Sequence, residues 1–269
     1  MTLEEIKESL RTKERTAIKE AIEFKKAQFK RADAVTLDFT TETPVIKGLS
    51  TSKDGDTDTV IKRTIIGNTY NWLDSHGDVH LKDTFKKSIN ERGEKGKIWH
   101  LHDHIQQRTA KVGRPQKVYQ QEVKWSDLGV SKNGTTQVVM MDTNIMKSYN
   151  SMMFEQYKDG EVDQHSVGMY YVKIDLAVND SEFKEEFEEW NNSIDKIGNK
   201  AKAEEMGYFW AVKEAKLIEI SAVLEGSNEL TPTIEAKDNE PSADTQKQEP
   251  PKGTQNDNGK DSLDIYTFI

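Results

Sequence analysis

The 269-residue chain has no cysteine. That excludes disulfide staples, thiolate metal sites and a cysteine nucleophile. It also lacks any run near the roughly 18 apolar residues that a membrane-spanning helix needs. The first residues, MTLEEIKESLRTKERT, place charges where a secretory leader would be apolar, so a soluble, unsecreted protein with no membrane partner is expected. Positive charge is in deficit: 38 Lys and Arg face 47 Asp and Glu, a net charge of −9. A general nucleic-acid binder needs a concentrated basic face, so nucleic acid is not an expected partner. Apolar residues make up 34% and mean hydropathy is −0.81, which predicts a modest core with long solvated segments.

Three regions follow from the pattern. Residues 1–59 read as a helical arm and linker. Leu3, Ile6, Leu10, Ile18, Ile22 and Phe29 recur at roughly helical spacing over 3–32, and this region has no Gly or Pro. The linker is rich in Thr, Ser, Asp and Gly, with a short strand expected near Val45. Residues 60–235 mix strand and helix signals. Strands are expected over 60–72, 98–104, 111–118, 122–128, 135–141, 164–174 and 208–224. Helices are expected to open at Asp83, to span Ile145–Tyr157 behind Asp142 or Asn144, and to fill 181–206 with the stripe Phe183, Phe187, Trp190, Ile194 and Ile197. Residues 236–269 form an acidic, Pro-containing tail expected to be disordered, with an apolar tip at Ile265–Ile269.

Half of the six histidines fall in Ile98–His104, IWHLHDH. On an extended strand His100, His102 and His104 would share one face. Alternate histidines suit a metal, with His76, His80 or a carboxylate completing the set; that reading is a metal-dependent hydrolase or nuclease. A histidine can instead deprotonate a serine, and Ser166 in QHSVGM has the small neighbour that leaves room for substrate. A polar strand with no chemistry is the third reading. Asp74 and Asp78 around Gly77 read as turn residues, and the five tryptophans as packing.

Four segments, in order from about Ile65 to Thr233, resemble the prohead serine proteases of tailed phages. They are NTYNWLDSHGDVHLKDTF, IWHLHDHIQQRTAKVGRPQKV, QHSVGMYY and KLIEISAVLEGSNELTPT. The resemblance implies an α+β fold with a β-barrel-like core ringed by helices, as in the herpesvirus assemblins. It implies a serine endopeptidase of Ser-His-Glu type: Ser166 as nucleophile, His102 as base, with His104 the alternative one register on, and Glu219 as the orienting carboxylate. Neither metal nor cofactor is implied. Implied substrates are scaffold and major-capsid-protein segments and the chain itself, cleaved inside the assembling prohead in the host cytoplasm. A homo-oligomer with dimerisation-dependent activity is implied by the same analogy. A non-catalytic scaffold or assembly protein is the reading that keeps the fold and drops the chemistry. The chain departs from the family at Glu225-Gly-Ser-Asn, where a Pro-Ala pair is usual.

Overall fold

The computed structural model describes residues 2–12, 15–30, 50–52 and 55–237. The strand expected near Val45 and residues 238–269 of the acidic tail, with its apolar tip, lie outside them; Ala236 and Lys237, the first two residues of the expected disordered tail, are instead in a strand. Helix α1 (Leu3–Arg11) starts at a capping box: Thr2 Oγ1 accepts from the Glu5 N–H, and the Glu5 carboxylate accepts from the Thr2 N–H. Helix α2 (Thr16–Ala27) follows after a break, so the helix expected over 3–32 is two. Thr12 makes the break. Its hydroxyl donates to the Ser9 carbonyl and accepts from the Arg15 N–H, and these local bonds replace helical ones. Ile6, Leu10 and Ile18, the stripe read from the sequence, are buried in the main core.

The fold is α+β, as expected. Its main sheet has seven strands: β2 (Val60–Thr69), β3 (Asp78–His80), β4 (Trp99–His102), β5 (Lys111–Lys124), β6 (Thr135–Met146), β7 (His165–Val178) and β8 (Tyr208–Ala222). The order is β2-β6-β5-β4-β8-β3, with β7 also on β8. A separate parallel pair joins β1 (Ser50–Ser52) to β9 (Glu235–Lys237). Helices α3 (Lys86–Arg92), α4 (Ser151–Asp159), α5 (Lys184–Ser193) and α6 (Lys200–Met206) occupy the connections.

Several boundaries differ from the sequence reading. β6 runs to Met146, and α4 opens only at Ser151, capped by Asn150 Oδ1 from the Met153 N–H at 3.1 Å. Thr143 and Ile145 are β-branched and pair with both β2 and β5, so strand pairing overrides the helical spacing there. Asp83 is not the cap of α3; it holds a left-handed φ of 70°. The two pieces expected around Pro115 are one strand, whose register shifts between Pro115 and Lys117. That irregularity accommodates a residue with no N–H. The run over 181–206 divides into α5, a 3₁₀ turn at Ile194–Lys196 and α6.

β8 is the strand on which the candidate site is built. It pairs parallel with β3 and β4 and antiparallel with β7. Facing residues in this register put Trp99, Leu101, Ser166, Gly168, Glu219 and Ser221 on one face. The other face carries His100, His102, His165, Val167, Ile220 and Ala222.

Candidate active site

On the first face, Glu219 is fully buried. Gly168 lies directly opposite it on β7, and a Cβ there would collide with the Glu219 carboxylate and with the Phe29 ring. The glycine is therefore what gives the carboxylate its place. Ser221, two residues on, donates from Oγ to Glu219 Oε2 at 2.6 Å.

The partner of the other carboxylate oxygen is His104, whose Nδ1 lies 2.5 Å from Glu219 Oε1. Its backbone N–H also donates to Ser221 Oγ at 3.2 Å. His104 is only 4% exposed. It reaches this face because β4 ends at His102, and Asp103 and His104 both take left-handed φ values, 51° and 54°. Two successive left-handed residues break strand alternation, so the face shared by His100 and His102 is not the face of His104.

The expected base, His102, is not the histidine that Glu219 holds. It stands on the opposite face, and its Nδ1 lies 2.9 Å from the exposed carboxylate of Asp103. The structure thus brings Ser166 and Glu219 to one face and places His102 elsewhere, with His104 in the role of Glu219's partner.

Two buried atoms of this face have no hydrogen-bond partner among the described residues: His104 Nε2 and Ser166 Oγ. With Nδ1–H donated to Glu219, His104 Nε2 presents its lone pair. Buried polar atoms are normally paired, so two orphans on one face require an explanation. A cleft of about 330 Å³ reaches Glu219 and is lined also by Trp99, Leu101, Gln106, Arg108 and Lys111, among others; neither His104 nor Ser166 lines it.

The second face is closed. His165 Nδ1 lies 2.8 Å from the Thr231 carbonyl, so that nitrogen carries the proton. Its Nε2 then accepts from Tyr157 Oη at 2.8 Å. Tyr157 Oη in turn accepts from His100 Nε2 at 3.0 Å, and His100 Nδ1 accepts from Thr143 Oγ1 at 3.2 Å. One tautomer assignment satisfies every atom with both imidazoles neutral. Burial pushes His165 down to about 4 and His100 well below its ordinary value, with each depressed by the lost hydration of the imidazolium.

A third cluster lies at the turn read from DSHGD. Asp74, His76 and Asp78 could offer ligand atoms within 4.8 Å of one another. An ammonium already fills the space: Lys30 Nζ lies 2.5 Å from Asp74 Oδ2 and 2.7 Å from Asp78 Oδ2, with Lys25 2.7 Å from Asp78 Oδ1. Tyr171 also donates to Asp78. Burial opposes ionisation of Asp78, but the two lysines outweigh it and hold the carboxyl far below its usual range. Burial likewise opposes the Lys30 charge, and the two aspartates raise it above its ordinary value. His80, beside them, is held neutral at about 3 by burial and by Lys30. The five histidines considered for a metal therefore do not converge: His76 alone joins this cluster, His80 bonds Asn68, and the other three sit in separate pairings.

Comparison with known proteins finds no matching family model, no matching curated protein and no matching solved structure. Ser221 was legible in the sequence, since it lies two residues from Glu219 on a strand. Lys30 carried no such pattern, because its partners lie 44 and 48 residues away.

Proposed function

We propose that this chain is a serine endopeptidase in which Ser166 is the nucleophile, His104 the general base and Glu219 the orienting carboxylate. One observation carries the reading: a buried His104–Glu219 pair leaves its Nε2 unpartnered on the strand face that also holds the unpartnered Ser166 hydroxyl. A base whose far nitrogen is fixed by a carboxylate is the arrangement that nucleophilic acyl transfer requires.

In the mechanism, His104 Nε2 takes the Ser166 proton as Oγ bonds to the peptide carbonyl carbon. Glu219 stabilises the imidazolium through Nδ1–H, and Ser221 fixes the second carboxylate oxygen. The carbonyl electrons move to the oxyanion and return as the C–N bond breaks. His104 gives its proton to the leaving amine. Water, deprotonated by the same nitrogen, then releases the acyl group and restores Ser166.

The four ordered segments, from NTYNWLDSHGDVHLKDTF to KLIEISAVLEGSNELTPT, support placing this activity in phage-head maturation. In that setting the substrates are scaffold and capsid-protein segments and the chain itself, inside the assembling prohead. The same reading carries a barrel-like closure of the sheet. It is supported by Gly67 of β2, whose bare backbone packs against the Ile220 side chain of β8.

Intact-mass spectrometry of the chain and its Ser166→Ala variant, each co-expressed with the neighbouring capsid and scaffold proteins, tests the proposal. Truncations present only with the unsubstituted chain are expected. Identical masses would refute the assignment. Trimming abolished by a chelator but not by Ser166→Ala would point to metal chemistry.

A further inference from the structure

Ser166 is 2% exposed and Glu219 is fully buried, yet a protease nucleophile must meet a peptide. What lies against this strand is the end of the N-terminal arm. The Lys30 N–H donates to the Met169 carbonyl at 2.9 Å, and the Met169 N–H donates to the Lys30 carbonyl at 3.2 Å. This is an antiparallel bridge on the edge of β7 away from β8. Phe29 packs against Gly168, beside the Glu219 carboxylate, with its ring 5.2 Å from that of Tyr170. The Lys30 side chain enters the buried Asp74–Asp78 pocket.

These are contacts by which an extended peptide adds to a sheet edge: main-chain bonds for affinity, and a side-chain site on each face of the added strand for specificity. The direction also fits. An antiparallel chain passing Met169 runs toward Val167 and Ser166 as it runs toward its own C-terminus. Val167, two residues from Met169, turns its backbone groups to the same edge.

We propose that the outer edge of β7 over Val167–Met169 is the main-chain subsite for substrate residues N-terminal to the scissile bond. The arm's Phe29–Lys30 occupies it in the resting chain. The preferred substrates are extended peptides carrying an aromatic–lysine pair a few residues before the cleavage point. The aromatic ring lies on Gly168 and the ammonium enters the Asp74–Asp78 pocket. This rests on Ser166 being the nucleophile; the peptide-binding edge does not.

The test uses the full chain, its Phe29→Ala and Lys30→Met variants, a fluorophosphonate that labels activated serines, and a synthetic peptide of residues 24–36. Phe29→Ala removes only the ring, so it serves where Lys30→Met, which strands two buried carboxylates, fails to fold. The expected result is labelling of Ser166 about tenfold faster in Phe29→Ala than in the unsubstituted chain, a shift of the open population that the peptide reverses. The same peptide with methionine in place of its lysine should not reverse it. Equal labelling rates in both chains, unaffected by peptide, would overturn the inference and leave the serine reading standing. If neither chain labels, the serine reading fails. Exchange of the Met169 amide in Phe29→Ala then decides the edge: protection by the peptide sustains it, and no protection overturns it.

Discussion

The two faces of β8 each bury histidines beside a hydroxyl, and they differ in one respect. On the His100–Tyr157–His165 face every nitrogen and oxygen of the three side chains has a partner. On the His104–Glu219–Ser221 face three side chains lock one another, while His104 Nε2 and the Ser166 hydroxyl remain unpaired among the described residues. A closed network yields stability and a unique register, whereas an open one leaves two polar groups unpaired, which is the ground for the proposed chemistry. An unpaired nitrogen is not by itself a mark of chemistry, since the buried His80 Nε2 is also unpartnered among the described residues; His104 differs in that its open nitrogen shares a face with the open Ser166 hydroxyl.

The largest effect that would break this comparison is loss of the proposed nucleophile. Ser166→Ala should lower peptide cleavage by about 10⁴-fold or more, with folding unchanged, as for removal of a triad member elsewhere. Cleavage assays with circular dichroism as the folding control check it. Retained cleavage would move the chemistry off this face.

Acid should act on the closed face. His165 titrates at about 4 folded and near 6.5 unfolded. The unfolded chain therefore binds the extra proton between those values. The stability from keeping His165 neutral is complete above pH 6.5 and is lost as pH falls toward 4. That loss is worth about 3 kcal/mol. His100 and His80 are depressed as well and add to the same trend. Urea midpoints measured from pH 7 to pH 4 should fall steadily; a flat profile would mean these imidazoles are not buried neutral.

Gly168→Ala should place a methyl where the Glu219 carboxylate now sits. Displacing the carboxylate that pairs with His104, the proposed base, should cost about 10²-fold in cleavage while leaving the chain folded. An unchanged rate would show that Glu219 does not need its present position. Tyr157→Phe should do the reverse. It leaves His100 and His165 each short of a partner and should cost about 1–3 kcal/mol of stability with cleavage nearly intact. Denaturant melts and cleavage rates together check it.

Much of this was legible in the sequence. Strand alternation in KLIEISAVL puts Glu219 and Ser221 on one face, and in QHSVGM it turns His165 to the face opposite Ser166, in agreement with the register. The mixed periodicities told only of strands and helices together; the α+β class was what the resemblance implied. The resemblance puts the base at His102, the histidine followed by Asp103, and His104 is then put on the same face by strand alternation. Two left-handed residues at Asp103 and His104 end it, and neither is a glycine that would have announced the turn. The α4 boundary failed for another reason: Ile145 has helical spacing but lies between Ile61 and Gly113 in the sheet. Lys30 and the edge of β7 meet across 139 residues of sequence (169 − 30), a distance no local pattern reports.

The proposed mechanism turns on His104 rather than His102 as the base, and fluorophosphonate labelling tests it most directly. Labelling rates at Ser166 should be compared in His104→Gln and His102→Gln chains. His102→Gln should label as fast as the unsubstituted chain, and His104→Gln should label slower by about 10³-fold or more. Loss of labelling in His102→Gln with His104→Gln unaffected would contradict the His104 assignment and return the base to the strand.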